Sequence, residues 1–294
     1  MYYRRKILLA LLEAFDDRLN KISLQKLLML LSKEQLKPDF HFVPYKYGCY
    51  SFQATSDLQT MTKYSQAMLQ GNDWIKTDSE KYLLSLNEPD RQAIRYIKQM
   101  YGNKTSDELI RITYVKYPYL AINSVIAKEK LSSYEYQKVI EAKSISNKTI
   151  LYTIGYEGIS LEEYINKLIL NDIKILCDVR KNSLSMKFGF SKSQLRGACN
   201  GVGIDYIHIP QLGIDSDKRQ ELNSQSDYDK LFLMYRTDIL SQTQDQQNKL
   251  MDLLIKHKRI ALSCFEANIC QCHRKHLADA LVKLPAFAYE LKHL

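Results

Sequence analysis

The sequence lacks several features that mark well-known classes of protein. Its 294 residues include only 10 Gly, 6 Pro and 1 Trp, and no apolar run approaches the roughly 18 residues of a transmembrane helix. Neither a Walker motif nor a His-Glu-x-x-His pair is present. What is there, a hydrophobic content of 45% without low-complexity tracts, indicates a globular chain long enough for about two domains.

Two further absences concern export and cysteine chemistry. The stretch "ILLALLEAF" follows basic residues, as in a signal peptide, but it continues into Asp16, Asp17 and Arg18 without a small-residue cleavage site. We therefore expect an amphipathic helix, a cytoplasmic protein and six reduced cysteines. No C-x-x-C pair occurs, which disfavours a zinc ribbon.

Positive charge is concentrated in the first half of the chain. The net charge is +9, and residues 1–148 hold 23 Lys and Arg against 16 Asp and Glu, as well as 14 of the 21 tyrosines. Cations release counterions from phosphates and aromatic rings stack on bases, so this half is expected to contact nucleic acid, with DNA favoured. The alternative is a solvated basic surface over a core that contains the tyrosines.

A polar stretch, "AKSISNKTI", divides the chain near residue 147. Residues 1–147 are predicted to form a mostly helical, winged-helix-like module, whose second helix Ser23 can cap. The following "FHFVPYKYGCYS" predicts a β-ribbon, in which Tyr45, Lys46 and Tyr47 are the candidate nucleic-acid contacts. A purely structural helical module remains the competing interpretation.

Residues 148–294 alternate strand and helix patterns, which predicts an α/β domain with a mainly parallel sheet and helices on both faces. The expected strands are "TILYTIGYE", "KILCDVR", "IDYIHIP", "RIALSCFE" and "FAYELKHL". In such sheets ligands bind beyond the carboxyl ends of the strands.

The predicted strand ends are polar or glycine-rich, although the strands themselves are apolar. Four such ends together predict a single pocket. Its candidate residues are Gly155, Tyr156, Glu157, Asp178, Arg180, Ser183, His208, Glu266, Cys272, His273 and Arg274.

Four ordered motifs, "TIGYEG", "DVRKNSLSMKFGFSKSQL", "GIDYIHIPQLG" and "CFEANICQCHR", resemble those of the domain-of-unknown-function 488 family. The resemblance covers roughly residues 150–294. It implies an α/β sheet and a pocket built from Asp178, Arg180, Glu266, Cys272, His273 and Arg274, and it leaves the reaction open. Through "LQKLLMLLS" and "FVPYKYGCYSF" the first half more loosely resembles helical modules fused to this family, and the antitoxin-associated Panacea domain.

Three kinds of site fit the stretch from Cys264 to Arg274. Backbone N–H groups at a helix start, together with Arg180 and Arg274, suit an anion. Cys272 beside His273 suits a nucleophile, because a helix N-terminus and neighbouring cations lower a thiol's pKa.

A zinc site would use Cys264, Cys270, Cys272 and His273. We assign no metal and no cofactor, because the side chains of adjacent Cys272 and His273 are expected to diverge at the helix start.

The leading hypothesis is an enzyme that acts on a nucleotide or nucleic acid by hydrolysis or transfer at a glycosidic or phosphate bond. Glu266 or Asp178 would be the acid/base, and Arg180 and Arg274 the anion clamps. The alternative is a ligand-sensing, DNA-binding regulator without catalysis. The expected partner is nucleic acid or a nucleotide-like anion, no membrane is involved, and a homodimer stays open.

Overall fold

A computed structural model describes residues 1–219, 222 and 224–294. The chain forms two compact units, Met1–Lys143 and Ser144–Leu294.

The first unit is mostly helical, as predicted. The first two helices are rich in leucine, and their apolar residues recur at helical spacing. The helices in chain order are α1 (Tyr3–Ala14), α2 (Lys21–Glu34), α3 (Phe52–Lys63), α4 (Glu88–Tyr101), α5 (Ser106–Lys116), α6 (Ala127–Lys130) and α7 (Ser133–Glu141).

Two small antiparallel sheets accompany these helices. The strands are β1 (Arg18–Asn20), β2 (Val43–Tyr45), β3 (Gly48–Tyr50), β4 (Ala67–Gln70) and β5 (Asp73–Lys76). β2 pairs with β3 in a ribbon, and the other three form a sheet in the order β1-β5-β4. The turn between β2 and β3 includes Gly48 with a positive φ of 86°, a conformation that glycine adopts without strain.

The core of this unit is centred on α1. Every residue from Ile7 to Leu12 is buried, so this helix is covered all round rather than on one amphipathic face. Leu24, Leu28 and Leu31 of α2 pack in the same cluster.

The predicted cap of α2 was wrong. The N-cap residue is Asn20, whose side-chain oxygen accepts a hydrogen bond from the Ser23 backbone N–H at 2.8 Å. The helix therefore begins at Lys21. Asn20 accepts the hydrogen bond from a free N–H group of the first turn, and Ser23 lies within that turn rather than before it.

The second unit contains a five-stranded, wholly parallel sheet in its described residues, and all five predicted strands are present. The strands are β6 (Ile150–Gly155), β7 (Ile175–Asp178), β8 (Asp205–His208), β9 (Arg259–Cys264) and β10 (Glu290–His293). Their order is β10-β6-β9-β7-β8. Because β9 lies between β6 and β7, the carboxyl ends of these three strands are neighbours. Each of these ends is followed by polar residues in the sequence.

Helices cover both faces of this sheet, which explains why its three inner strands are entirely buried. Leu262 packs with Leu277 on one face, whereas the next residue, Ser263, accepts a hydrogen bond from Tyr164 on the other. The helices are α8 (Leu161–Leu170), α9 (Lys192–Gly201), α10 (Gln225–Met234), α11 (Gln244–His257) and α12 (His273–Val282).

In the described part of the chain, no helix combines the length and apolar character that a bilayer crossing requires.

Candidate functional site

A cleft of about 310 Å³ opens beyond the carboxyl ends of β6, β7 and β9. It lies where ligands bind in parallel α/β sheets. The lining residues are Tyr156, Arg180, Lys181, Asn182, Leu184, Ser185, Met186, Ile214, Cys264, Phe265 and His273. Tyr156, Arg180 and His273 are therefore the candidate residues that reach the cleft surface.

Asp178 and Arg180 form a buried ion pair at the end of β7. Arg180 Nε donates to Asp178 Oδ1 at 2.8 Å, and its Nη2 donates to Oδ2 at 2.5 Å. The Tyr206 hydroxyl donates to the same Oδ2 at 2.6 Å. Asp178 is fully buried, and both of its oxygens accept hydrogen bonds, so it stabilises the charge of Arg180 rather than facing a ligand.

The remaining contacts of Arg180 tie it to the cleft wall. Nη1 donates to the Tyr156 hydroxyl at 2.6 Å and to the Phe190 carbonyl at 3.0 Å. Burial opposes the charge, but the hydrogen bonds to Asp178 outweigh it and raise the pKa of Arg180 above its ordinary value. The Tyr156 ring in turn stacks on Phe190, with centroids 4.2 Å apart. These contacts form an internal network around Arg180, which has one edge on the cleft.

Arg274 faces the protein interior and not the cleft. It is 1% exposed, its Nη1 donates to the Glu266 carbonyl, and its Nη2 donates to the Ala267 carbonyl at 3.2 Å. Nε is buried and has no hydrogen-bond partner among the described residues. These contacts argue against Arg274 as a direct anion clamp, because its cation holds the loop after β9.

Gly155 and Glu157 hold the same loop. A Cβ at Gly155 would lie 2.0 Å from the Glu266 carbonyl oxygen, so the close approach of the loop requires glycine. Glu157 accepts a hydrogen bond from the Ala267 backbone N–H at 2.9 Å. Both residues shape the site without lining the cleft.

A second group of side chains meets at one side of the cleft. Ligand atoms of Cys264, Glu266, Cys272 and His273 all lie within 4.8 Å of one another. Cys264 Sγ donates to Glu266 Oε2 at 3.0 Å and is 3.5 Å from His273 Nδ1. We call these four residues the Cys–His cluster; Cys264 and His273 are its members that line the cleft.

The expectation that Cys272 and His273 diverge was wrong. Cys272 is the N-cap of α12 and has an extended backbone, with φ −129° and ψ 132°, whereas His273 is the first helical residue. This change of conformation between the two residues lets both side chains reach one centre.

The prediction that the pKa of Cys272 is lowered was also wrong. Cys272 is fully buried, and desolvation, followed by Cys264 and Glu266, raises the pKa of its thiol well above the ordinary value; Arg274 only partly offsets this. The thiol is therefore not an activated nucleophile in this arrangement.

Ser183 and His208 lie outside the cleft lining. The Ser183 carbonyl accepts a hydrogen bond from the Lys192 backbone N–H at 3.0 Å. His208 Nε2 lies 2.9 Å from the Arg180 carbonyl oxygen, and Nδ1 lies 3.3 Å from Lys192 Nζ. Both residues support the segment that follows β7.

That segment supplies cleft residues which our sequence reasoning missed. Lys181 and Ser185, which were not predicted, line the cleft beside Asn182, one of the polar residues expected at this strand end, and the Lys181 side chain is 45% exposed. Their polarity directly after a buried strand was a usable signal. Ile214 also lines the cleft but belongs to a different loop, and its apolar side chain did not mark it as a site residue in the sequence.

The first unit has a separate cavity of about 670 Å³, which includes the candidate contacts Tyr45, Lys46 and Tyr47. The Tyr45 ring stacks on Tyr50 at 4.8 Å, whereas Tyr47 is 50% exposed. Only the Tyr47 ring thus presents a largely open surface among these three residues.

The fold and cleft define an α/β protein with a ligand-type cleft at the carboxyl edge of a parallel sheet. Residues 160–281 match the model of the family described as Domain of unknown function DUF488. The C-terminal half of the chain thus resembles this family, as its four motifs predicted. No curated protein matches the chain.

Proposed function

We propose that the C-terminal cleft binds a nucleotide-like or nucleic-acid phosphate and that the protein hydrolyses or transfers this ligand at a phosphate or glycosidic bond. The observation that carries the proposal is the convergence on one cleft of Tyr156 after β6, Arg180 and Lys181 after β7, and His273 at the start of α12. Polar and aromatic groups that meet at this edge are the usual composition of a ligand site.

Lys181 is the cation best suited to the phosphate. Its side chain is 45% exposed, and its ammonium group lies 3.8 Å from the Asp215 carboxylate. Arg180, which is held by its ion pair with Asp178, is a second cation in the cleft lining. The Tyr156 and Phe265 rings supply apolar surface for a base or sugar.

Glu266 is better suited to proton transfer than Asp178. Both oxygens of Asp178 accept hydrogen bonds from Arg180 and Tyr206. Glu266 is partly exposed and accepts a hydrogen bond from the Cys264 thiol. Its carboxylate therefore lies beside Cys264, a residue of the cleft lining.

Two features of the first unit support a nucleic-acid-binding, winged-helix-like role. β1 lies between α1 and α2 in the sequence and pairs with β5, the second strand of the hairpin that follows α3. A strand between the first two helices joined to a later hairpin is the connectivity of a winged helix. The exposed Lys46 and Tyr47 supply a cation and a ring at the ribbon.

The cleft is tested by calorimetric titration of the full chain with adenosine monophosphate and with inorganic phosphate. We expect Lys181→Ala to weaken binding by roughly 10-fold, which corresponds to about 1.4 kcal/mol. Lys256→Ala, a change at an exposed lysine outside the cleft lining, is the matched control and should bind as the parent does. Equal affinity of both variants for these ligands would contradict phosphate binding in this cleft.

A ligand-sensing regulator without turnover is the second candidate, because the buried, protonated Cys272 and the internal partners of both arginines favour binding over covalent chemistry. Chromatography of the ligand after prolonged incubation separates the two candidates. An enzyme converts the ligand, and Glu266→Gln should then keep affinity and lose turnover. A sensor returns the ligand unchanged.

A further inference from the structure

We propose that the Cys–His cluster is a binding site for one divalent metal ion of the zinc class. The cluster consists of Cys264, Glu266, Cys272 and His273, from the end of β9, the loop after it and the start of α12. The inference depends on this geometry alone and stands apart from the proposed ligand chemistry.

The spacing of the donor atoms fits a tetrahedral ion. Zn–S bonds of about 2.3 Å and Zn–N or Zn–O bonds of about 2.0–2.2 Å place neighbouring ligand atoms roughly 3.3–3.8 Å apart. Here Cys264 Sγ lies 3.0 Å from Glu266 Oε2 and 3.5 Å from His273 Nδ1, and all four ligand atoms lie within 4.8 Å. Shifts of about 1 Å or less would close the shell.

The histidine is oriented as a metal ligand. Its Nε2 lies 3.1 Å from the Val179 carbonyl oxygen, a partner that can only accept a hydrogen bond. Nε2 therefore carries the proton, and Nδ1 directs its lone pair toward the two sulfurs. A carbonyl that fixes the tautomer of a ligating histidine is a common feature around zinc.

The donor types select the ion. Two sulfurs, one imidazole and one carboxylate suit zinc or a similar borderline ion, whereas Mg²⁺ and Ca²⁺ prefer oxygen ligands. Three of the four residues are buried and Glu266 is partly exposed. The carboxylate is thus the ligand closest to solvent.

The buried Arg274 is compatible with the ion but does not require it. A guanidinium that is 1% exposed and bonded to two carbonyl oxygens is costly unless negative charge lies nearby. Two thiolates, one carboxylate and one divalent ion together carry a net charge of −1, which would balance Arg274. Without an ion, two thiols and the Glu266 carboxylate also carry −1, so Arg274 fits the cluster in either state.

Because Cys264 and His273 line the cleft, the ion would lie at the cleft wall. With the ion bound, Glu266 and His273 are ligands, and loss of turnover in Glu266→Gln would accompany loss of metal. Metal content is therefore measured on that variant as well, which separates a ligand role from proton transfer.

The test is Co²⁺ titration of the chelator-treated full chain, followed by absorption spectroscopy, with zinc content of the untreated protein measured by mass spectrometry. We expect about one ion per chain, a thiolate-to-cobalt charge-transfer band and visible bands of tetrahedral Co²⁺. Cys272→Ser should reduce the charge-transfer band about two-fold or more and weaken binding at least 10-fold.

Cys270→Ser is the matched control. Cys270 is exposed, lies two residues from Cys272 and is not in the cluster, so this variant should bind as the parent does. Circular dichroism checks that each variant is folded. If Cys272→Ser is unfolded, the Co²⁺ absorption spectra of the parent and of Cys270→Ser alone test the proposal.

A parent protein without zinc and without a thiolate band would overturn the proposal, as would equal losses in Cys270→Ser and Cys272→Ser. Neither measurement contains a nucleotide. Failure of the Lys181 titration would therefore leave the metal result unaffected, and the reverse also holds.

Discussion

At the scale of single residues, burial decides the chemistry of Cys272 more than its position at a helix start does. Its thiol is fully buried, whereas Cys270 is exposed. A raised pKa keeps the buried thiol protonated near neutral pH, and a protonated thiol is a poor nucleophile.

In chelator-treated native protein, iodoacetamide should accordingly modify Cys270 at least ~10-fold faster than Cys272 at neutral pH. Peptide mass spectrometry over time measures both rates. The same reaction in denaturant is the control and should remove the difference. Equal native rates would restore Cys272 as a candidate nucleophile.

Gly155 allows a test of the loop after β9. Gly155→Ala places a Cβ 2.0 Å from a backbone oxygen, so the loop must move, at an expected cost of about 1–3 kcal/mol in the free energy of unfolding. Gly197→Ala is the control, because its Cβ meets nothing within 4 Å on helix α9, and it should be neutral or stabilise by roughly 0.5–1 kcal/mol. Urea unfolding measures both; similar values for the two would contradict the packing argument.

At the scale of elements, helix α5 begins with a reciprocal cap whose strength depends on pH. Thr105 caps the Glu108 N–H, and the Glu108 carboxylate accepts a hydrogen bond from the Thr105 backbone N–H at 2.8 Å. This backbone hydrogen bond, followed by contacts with Lys104 and the Thr105 hydroxyl, lowers the pKa of Glu108 to about 2. The lowered pKa means that the folded state favours the ionised carboxylate.

The stabilisation by Glu108 is thus complete above its ordinary pKa of 4.5 and is lost as the pH falls toward about 2. Glu108→Gln should make the urea midpoint less sensitive to pH across this window. Glu141→Gln, at the end of α7, is the control and should keep the parent's pH dependence. An unchanged slope in Glu108→Gln would show that the cap contributes nothing.

At the scale of the whole molecule, the uneven charge predicts where nucleic acid binds. Residues 1–148 carry a net +7 of the total +9, and the exposed Lys46 and Tyr47 lie at a cavity of the first unit. Phosphate-led binding releases counterions, so its affinity falls steeply with salt.

For the full chain, Lys46→Ala should weaken duplex DNA binding and reduce the slope of log affinity against log salt by about 1. Fluorescence anisotropy at several salt concentrations measures this slope. Lys256→Ala in the second unit is the matched control and should leave the slope unchanged. Binding that is absent at low salt, or insensitive to salt, would contradict the nucleic-acid role.

Local sequence patterns determined the secondary structure of the second unit. All five strands were predictable: the three buried inner strands are short apolar runs, and all five alternate with helical patterns, as in a parallel sheet. The sequence also marked the strand ends as polar, including Asp178, Arg180 and Glu266. The cap at Asn20 was missed, because asparagine and serine are both good caps and the choice depends on neighbouring contacts.

Only the tertiary structure decided what each polar side chain contacts. The order β6-β9-β7 brings Tyr156 to Arg180 and His273 to the Val179 carbonyl, pairs that are 24 and 94 residues apart in the chain. Arg274 was expected to face a ligand, yet it holds a loop, and Cys272 and His273 meet at one centre. Such outcomes depend on the loop conformation after β9 and on side-chain packing, which hydrophobic periodicity and motif spacing do not encode, because both describe only the regular local backbone.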